Sequence, residues 1–145
     1  MNMMNVYLSF DGTCAEAMRF YERALGGKIE MMMTNAQSPM AAQMPPGNGD
    51  RVMHARLSLE QGILMAGDSM TGEGCPPYEG KKGFSMTLSY PTVDEAKRRF
   101  EALAEGGKVT MPLQKTFWAE TFGMLTDRFG TPWIVNGALQ ETAHQ

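Results

Sequence analysis

The sequence predicts an α+β fold built from two tandem βαβββ modules. The first observation is an internal repeat, because residues 7–31 and 87–111 align without a gap and share far more identities than the roughly one or two that chance gives. The second is a hairpin-like segment after each repeat, at residues 51–68 and 116–136. The identical pairs include Leu8 and Leu88, Ser9 and Ser89, Arg19 and Arg99, Phe20 and Phe100, and Gly26-Gly27-Lys28 with Gly106-Gly107-Lys108.

The first strand and the first helix follow from periodicity. Residues 4–10 alternate between apolar and polar side chains, which is typical of a strand with two different faces. Residues 15–25 place their apolar side chains on one helical face, and Gly26 ends the helix. Thr13 is predicted to be the N-cap, with Glu16 as its partner in a capping box.

The rest of the first module, residues 1–68, contains three more strands and a long insertion. Strands are predicted at residues 28–34, 51–59 and 63–68. The two repeats are 80 residues apart whereas the two hairpins are 68 apart, so the first module carries about twelve additional residues. They fall in the Pro/Gly-rich stretch 35–50, which is interpreted either as a flap closing Met40 and Met44 over a ligand or as a solvent-exposed loop.

A linker and a second module complete the chain. Residues 69–83 are rich in Gly and Pro and are predicted to be the linker. The second module spans residues 84–138, and residues 139–145 form a C-terminal tail. The elements predicted within the second module are a strand at 84–90, a helix at 94–105, a strand at 108–113 and a hairpin at 116–136 that turns at Asp127–Gly130.

Composition narrows the class of protein. A net charge of −3 without a long basic cluster argues against nucleic acid as a partner, and no apolar run reaches the ~18 residues of a membrane helix. The first residues lack the pattern of a signal peptide, so we expect a cytoplasmic protein that has neither a nucleic-acid nor a membrane partner. Cys14 and Cys75 are expected to be free thiols, and a reactive role for Cys75 is the alternative to a simple exposed thiol.

Three motifs give the chain a family resemblance. They are Y-L-S-F-D-G-T-C-A-E-A at residues 7–17, T-F-W-A-E-T-F-G at 116–123 and T-D-R-F-G-T-P-W at 126–133. Together with the duplicated module they resemble the vicinal oxygen chelate superfamily of glyoxalases, bleomycin-resistance proteins and dioxygenases, and in particular its PhnB-like branch, often labelled 3-demethylubiquinone-9 3-methyltransferase. The resemblance covers nearly the whole chain. It implies curved half-barrel sheets with the helices on their convex side, a homodimer and a cavity for a small organic molecule.

The resemblance also indicates which side chains face the cavity. Val6, Leu8 and Phe10, with their repeats Met86, Leu88 and Tyr90, are expected beneath the helices. The alternate positions, among them Tyr7, Ser9, Thr87 and Ser89, then face the cavity. The same reasoning turns His54, Arg56 and Ser58 inward, and likewise Trp118, Glu120, Phe122 and Thr126.

The metal ligands of this superfamily lie on the first and last strands of each half. The matching positions here are Asn5, Ala66, Ser85 and Ile134. None is a good ligand for a divalent metal, which requires several convergent His, carboxylate or thiolate groups. We therefore predict no metal centre of the usual kind and no cofactor. Methyl transfer is not expected either, because the chain has no G-x-G-x-x-G loop to hold a nucleotide-derived methyl donor.

His54 and Glu120 are the predicted catalytic residues. A neutral imidazole is suited to act as a general base, and a carboxylate between aromatic residues can have the tuned pKa of an acid–base group. The alternatives are a histidine that only packs and hydrogen-bonds, and a solvated carboxylate at a sheet edge. The predicted substrate-binding residues are Tyr7, Ser9, Arg56, Thr87, Trp118 and Phe122, whose aromatic members suit a planar or cationic ligand unless they belong to the core.

Three hypotheses of function remain open. The first is an enzyme whose turnover depends on His54 or Glu120. The second is a protein that sequesters a compound without transforming it. The third is a metal-dependent lyase or transferase that uses a non-standard ligand set including His54 and Glu120.

Overall fold

The computed structural model describes residues 3–140, and the prediction of two βαβββ modules is confirmed. The chain divides into two compact units, and the boundary lies between Glu79 and Gly80. The first contains β1 (Val6–Phe10), α1 (Cys14–Leu25), β2 (Lys28–Thr34), a short 3₁₀-helix (Ala41–Gln43), β3 (Val52–Leu59) and β4 (Gly62–Asp68). The second contains β5 (Met86–Tyr90), α2 (Val93–Ala104), β6 (Lys108–Gln114), β7 (Ala119–Thr126) and β8 (Pro132–Leu139).

Each module is one open four-stranded sheet with a helix on one face. The strand order is β1-β4-β3-β2 in the first module and β5-β8-β7-β6 in the second. The first strand runs parallel to the last in each module, and the remaining pairs are antiparallel. In the first module the face beneath α1 is the core, formed by Leu8, Phe10, Ala55, Leu57, Leu64 and Ala66, none more than 2% exposed. We call the opposite face of each sheet its open face.

The two helices begin in different ways. Thr92 caps α2 as expected of a threonine, because its hydroxyl accepts a hydrogen bond from the backbone N–H of Glu95. The capping box predicted for α1 is wrong, since the side chain of Thr13 makes no capping hydrogen bond. Asp68, at the end of β4, accepts the N–H groups of Gly12 and Cys14 instead. Within residues 3–140, neither helix has the length and apolar character needed to cross a membrane.

Two predicted core positions differ from the structure. Leu8, Phe10, Leu88 and Tyr90 are buried as expected, whereas Val6 is 39% exposed and Met86 is only partly buried. In β3, Val52 is buried and the next residue, Met53, is only partly buried. The register with β2 shifts there, because Met33 pairs with His54 while Thr34 pairs with Val52. One additional residue in β3 therefore reverses the alternation, as a β-bulge does.

The insertion at 35–50 is held to the rest of the first module by a buried asparagine. The Nδ2 of Asn48 donates to the carbonyl of Thr71, and its Oδ1 accepts the N–H of the same residue, both at 2.8 Å. Asn48 is fully buried, and so is Asn35, whose Nδ2 donates to the Asn48 carbonyl. The insertion is thus built against the start of the predicted linker.

The residues predicted as a linker divide between the two units. Residues up to Glu79 belong to the first unit, where Arg51 donates to the Ser69 carbonyl and the Tyr78 hydroxyl donates to the Ser9 carbonyl at 2.9 Å. At the other end of the chain, Leu139 still belongs to β8. Of the tail predicted at 139–145, residues 141–145 lie outside the described residues.

The predicted turn at Asp127–Gly130 is confirmed, and it is organised by the aspartate. Oδ1 of Asp127 accepts the N–H groups of Phe129 and Thr131, at 2.9 and 3.0 Å. Oδ2 accepts the indole N–H of Trp133 at 2.8 Å, and Asp127 and Trp133 are both buried. Gly130 adopts a φ of 88°, which suits glycine because it has no Cβ. Trp133 is therefore a core residue of the second module.

Candidate functional site

The open face of the first module is centred on Tyr7 and His54, two residues that the sequence predicted to be functional. Their rings stack with centroids 5.8 Å apart and planes inclined by 24°. The Tyr7 hydroxyl donates to the backbone carbonyl of Met53 at 3.2 Å. It reaches that carbonyl by passing over Gly67, where a Cβ would lie only 2.5 Å from the hydroxyl oxygen. A glycine in β4 thus allows Tyr7 to extend from β1 to β3.

The surroundings of Tyr7 keep its hydroxyl protonated. Burial raises the pKa of the Tyr7 phenol above its ordinary value, and the nearby Cys14 and Asp68 raise the pKa further. The group is consequently a hydrogen-bond donor at neutral pH. It holds the phenol ring against His54 and is suited to orienting a ligand rather than to accepting a proton.

Methionines surround this pair on the same face. Met33 is the direct cross-strand partner of His54, and Met31 is the partner of Arg56. Met65 lies between Arg56 and Tyr7 in the register of the sheet. Partners in register have their side chains on the same face of the sheet. Flexible thioethers next to an imidazole and a phenol form an adaptable apolar surface.

The two other predicted residues of the first module contribute less to this surface. The Arg56 guanidinium is engaged by Glu30, with 3.0 Å between Nε and Oε1, and both side chains are more than a third exposed. Ser9 is exposed on the open face, in register with Gly67. Arg56 therefore lies at the side of the Tyr7–His54 pair, and Ser9 lies at the end of β1.

The open face of the second module is centred on Trp118 and Phe122. Their rings meet edge to face with centroids 5.0 Å apart, and Phe117 also packs edge to face on Trp118, with centroids 4.7 Å apart. The indole N–H of Trp118 donates to Oδ1 of Asn136 at 3.3 Å. Asn136 is 8% exposed, and its Nδ2 lies 3.5 Å from the hydroxyl of Ser89. A buried amide thus fixes the orientation of an indole that remains partly exposed.

Thr87 lies in the neighbouring row of this face. The register places Thr87 opposite Ile134, and Ile134 opposite Met124. The row that contains Phe122 passes instead through Asn136 to Ser89. Ser89 is therefore the hydroxyl residue of β5 that joins the Trp118 network, and Thr87 provides a second, exposed hydroxyl beside an apolar strip.

Glu120 occupies the end of the same sheet. Its Oε1 accepts a hydrogen bond from the Nε2 of Gln140 at 2.7 Å, and its Oε2 lies 3.8 Å from the ammonium of Lys115. Its side chain is 45% exposed. Glu120 is therefore an exposed carboxylate with a glutamine and a lysine as its partners.

The positions where this fold family carries metal ligands do not fit a divalent cation. Asn5 and Ser85 are exposed amide and hydroxyl residues just before β1 and β5, and Ile134 is apolar. The fourth position predicted from sequence, Ala66, was wrong. The turn after Thr126 is one residue longer than the turn after Ser58, so register makes Met65 the equivalent of Ile134, and Ala66 lies beneath α1. Within residues 3–140, no three His, Cys, Asp or Glu side chains form a metal-binding group.

Sequence reasoning missed two residues of these faces. Asn136 stands in the apolar strand Pro132–Leu139, and the available signal was a lone amide two residues after Ile134. Met65 was missed because the two hairpins were aligned on their glycines, which hid the additional turn residue of the second module. The cross-strand register shows what each of them lies beside.

Comparison with known proteins agrees with this architecture. Residues 4–135 match the family model of the Glyoxalase/Bleomycin resistance protein/Dioxygenase superfamily, and the chain belongs to that superfamily. It lies in the PhnB-like branch. Protein YjdN of Escherichia coli is 34% identical over 146 residues, covering 95% of this chain and 97% of YjdN.

Two solved structures support the same placement. The crystal structure of protein PA1353 from Pseudomonas aeruginosa is 46% identical, with a TM-score of 0.84 over 94% of this chain and 98% of that chain. The PhnB protein of Bacillus cereus is 25% identical, with a TM-score of 0.75 over 94% of this chain and all of that one. That protein carries the label 3-demethylubiquinone-9 3-methyltransferase. The shared property is the fold with its open sheet faces, and no specific activity is established by it.

Proposed function

We propose that this protein binds a small, largely apolar organic molecule through the open faces of its sheets, without the metal centre of the superfamily's metal enzymes. The observation that carries the proposal is the Trp118–Phe122 pair, because a buried amide, Asn136, orients an indole that solvent still reaches. Burying an amide is costly unless it is hydrogen-bonded. A fixed aromatic edge with hydroxyls beside it is a typical lining for a planar organic ligand.

The first module supports the same function with different chemistry. Tyr7 and His54 present stacked rings, and Met31, Met33 and Met65 surround them with flexible apolar side chains. Methionine surfaces adapt to ligands of varied shape. Each face by itself favours a ligand with at least one aromatic ring and few charges.

The binding test uses quinoline as a planar, neutral probe. We expect quinoline to shift the indole resonance of Trp118 in a ¹H–¹⁵N spectrum and to bind about two- to tenfold more weakly to Trp118→Ala, since aromatic contacts of this kind contribute about 0.5–1.5 kcal/mol. Phe129→Leu is the control, because Phe129 belongs to the Asp127 turn. Equal affinity in Trp118→Ala and the unaltered protein would contradict the proposal.

The contacts of Glu120 and His54, the two candidate catalytic residues, favour sequestration of a ligand over catalysis. The Glu120 side chain is 45% exposed and engaged by Lys115 and Gln140, and the ring beside His54 is the Tyr7 phenol, whose hydroxyl donates to the Met53 carbonyl. The deciding experiment compares the unaltered protein with His54→Gln and measures both ligand binding and product formation. We expect no product from either protein, whereas a product that forms only with His54 intact would assign the protein to the enzymes.

We propose further that the protein is a homodimer in the cytoplasm. Members of the superfamily commonly form dimers, and the edge strands β1, β2 and β5 offer backbone groups for pairing between chains. Neither Cys14 nor Cys75 forms a disulfide within the described residues, which suits a reducing compartment. Sedimentation equilibrium should give twice the mass of the chain, and a monomer would refute the dimer.

A further inference from the structure

A groove of about 620 Å³ runs between α2 and the edge strand β6, on the helix side of the second module. Its apolar lining consists of Phe100, Ala104, Val109, Pro112 and Leu113. Val109 is 43% exposed, so this lining is open to solvent. Grooves of about 300–1,000 Å³ with apolar walls and few polar groups are typical of small-molecule sites. The groove is separate from the open face that contains Trp118.

The internal repeat shows that this groove is not a necessary result of the fold. Three charged residues complete its lining, Lys97, Glu101 and Glu105. At a spacing of 80 residues, their equivalents in α1 are Ala17, Tyr21 and Leu25, which are all apolar or aromatic and at most 6% exposed. The first module therefore buries the helix positions that the second module leaves open and charged.

The charges are placed where the helix itself does not favour them. Glu101 lies in the last turn of α2 and Glu105 is its C-cap, and that turn contains no basic residue. Carboxylates near a helix C-terminus are disfavoured, because the helix dipole is negative there. Within the described part of the chain, neither carboxylate has a salt-bridge partner. This end of the groove consequently attracts cations.

The edge strand β6 disfavours an extended peptide as the occupant of the groove. Pro112 has no backbone N–H to offer to an added strand, and the register of β6 with β7 shifts on both sides of Met111. Both features disfavour pairing of β6 with another extended chain. An occupant must therefore be held by the apolar lining and by the charges.

We propose that the α2–β6 groove binds a small organic cation with an apolar body, such as an alkyl or aryl ammonium compound. The apolar body lies on Phe100, Val109 and Leu113, and the cationic group lies beside Glu101 and Glu105. Lys97, at the other end of the charged row, disfavours a second positive charge and sets the direction in which the ligand lies.

Three probes of equal chain length test this inference: octyltrimethylammonium, octyl glucoside and octyl sulfate, each below its micelle concentration. In ¹H–¹⁵N spectra of the full-length protein, octyltrimethylammonium should shift resonances of residues 97–113 and bind most tightly, and octyl sulfate should bind least. Equal affinities for the three probes, or shifts confined to other residues, would overturn the proposal. The readout at residues 97–113 is distinct from the Trp118 indole, so this test and that of the open face can fail separately.

Single substitutions sharpen the test. Glu101→Gln and Glu105→Gln should each weaken the binding of octyltrimethylammonium about two- to fivefold, as expected for an exposed ion pair. The affinity for octyl glucoside should not change. Lys97→Gln should raise the affinity for octyltrimethylammonium by a similar factor. A general loss of structure would not produce this opposite effect. Glu60→Gln is the control, because it removes one exposed carboxylate from the turn between β3 and β4. An equal effect of Glu60→Gln would refute a local site.

Discussion

The ring of Tyr7 stacks on the imidazole of His54, and the absence of a side chain at Gly67 makes this possible. A Cβ at Gly67 would lie 2.5 Å from the Tyr7 hydroxyl and 2.9 Å from the Met53 carbonyl oxygen. The three residues come from three different strands, so the pair depends on the register of the whole sheet.

Gly67→Ala should therefore lower the free energy of unfolding by about 1–3 kcal/mol, the usual cost of overpacking. Urea unfolding measures it. Adding Tyr7→Phe should recover part of the loss, because the hydroxyl is one of the two colliding atoms. Gly49→Ala is the matched control, since a Cβ there meets only the Ala36 Cβ at 3.6 Å. A loss in Gly67→Ala no larger than in Gly49→Ala would show that Tyr7 can move freely.

Tyr7→Phe should change how stability depends on pH. The folded-state pKa of Tyr7 is raised, so its stabilising contribution is complete below the unfolded pKa of about 10 and is lost as the pH rises from there through the folded pKa. At pH 8 we expect the variant to be about 1 kcal/mol less stable, the typical value of a hydrogen bond. The difference should narrow above about pH 10. A difference that widens with pH would contradict the assignment.

Asn136→Leu should release the Trp118 indole. The variant removes the acceptor of the indole N–H, and we expect a loss of about 1–3 kcal/mol together with a changed Trp118 indole resonance. The chain has only two tryptophans, so the resonance can be assigned by substitution. Thr87→Val changes the neighbouring row and should leave that resonance in place. An unchanged resonance in Asn136→Leu would mean that the amide does not orient Trp118.

Asp127→Asn should destabilise the second module. The amide keeps an oxygen for the N–H groups of Phe129 and Thr131 but presents an NH₂ group to the indole N–H of Trp133. A buried donor without its acceptor costs about 1–3 kcal/mol. Asp50→Asn, at an exposed position, should be close to neutral. Equal stabilities of the two variants by thermal unfolding would exclude a structural role for the Asp127 carboxylate.

The protein should not methylate a demethylated quinone. Methyl donors derived from nucleotides need a Gly-rich turn between strand and helix, and no G-x-G-x-x-G occurs in the chain. Incubation with S-adenosylmethionine and a demethylated ubiquinone, followed by mass spectrometry, is expected to show no methylated product. The same assay with a boiled sample defines the background, and product above it would contradict this expectation.

The sequence alone was sufficient for the modules and for most residues on their faces. The repeat between residues 7–31 and 87–111 predicted two copies of one unit, and period-two alternation together with the family resemblance assigned Leu8 to the core and Tyr7 to the open face. These inferences hold because a side chain's face is a local property of a strand. The tertiary structure decided which residues meet. Asp68 replaced Thr13 as the cap of α1, Asn136 joined Trp118, and Met65 took the place assigned to Ala66. Each depends on the register between strands, and one bulge or one additional turn residue changes that register without leaving a mark in local sequence pattern.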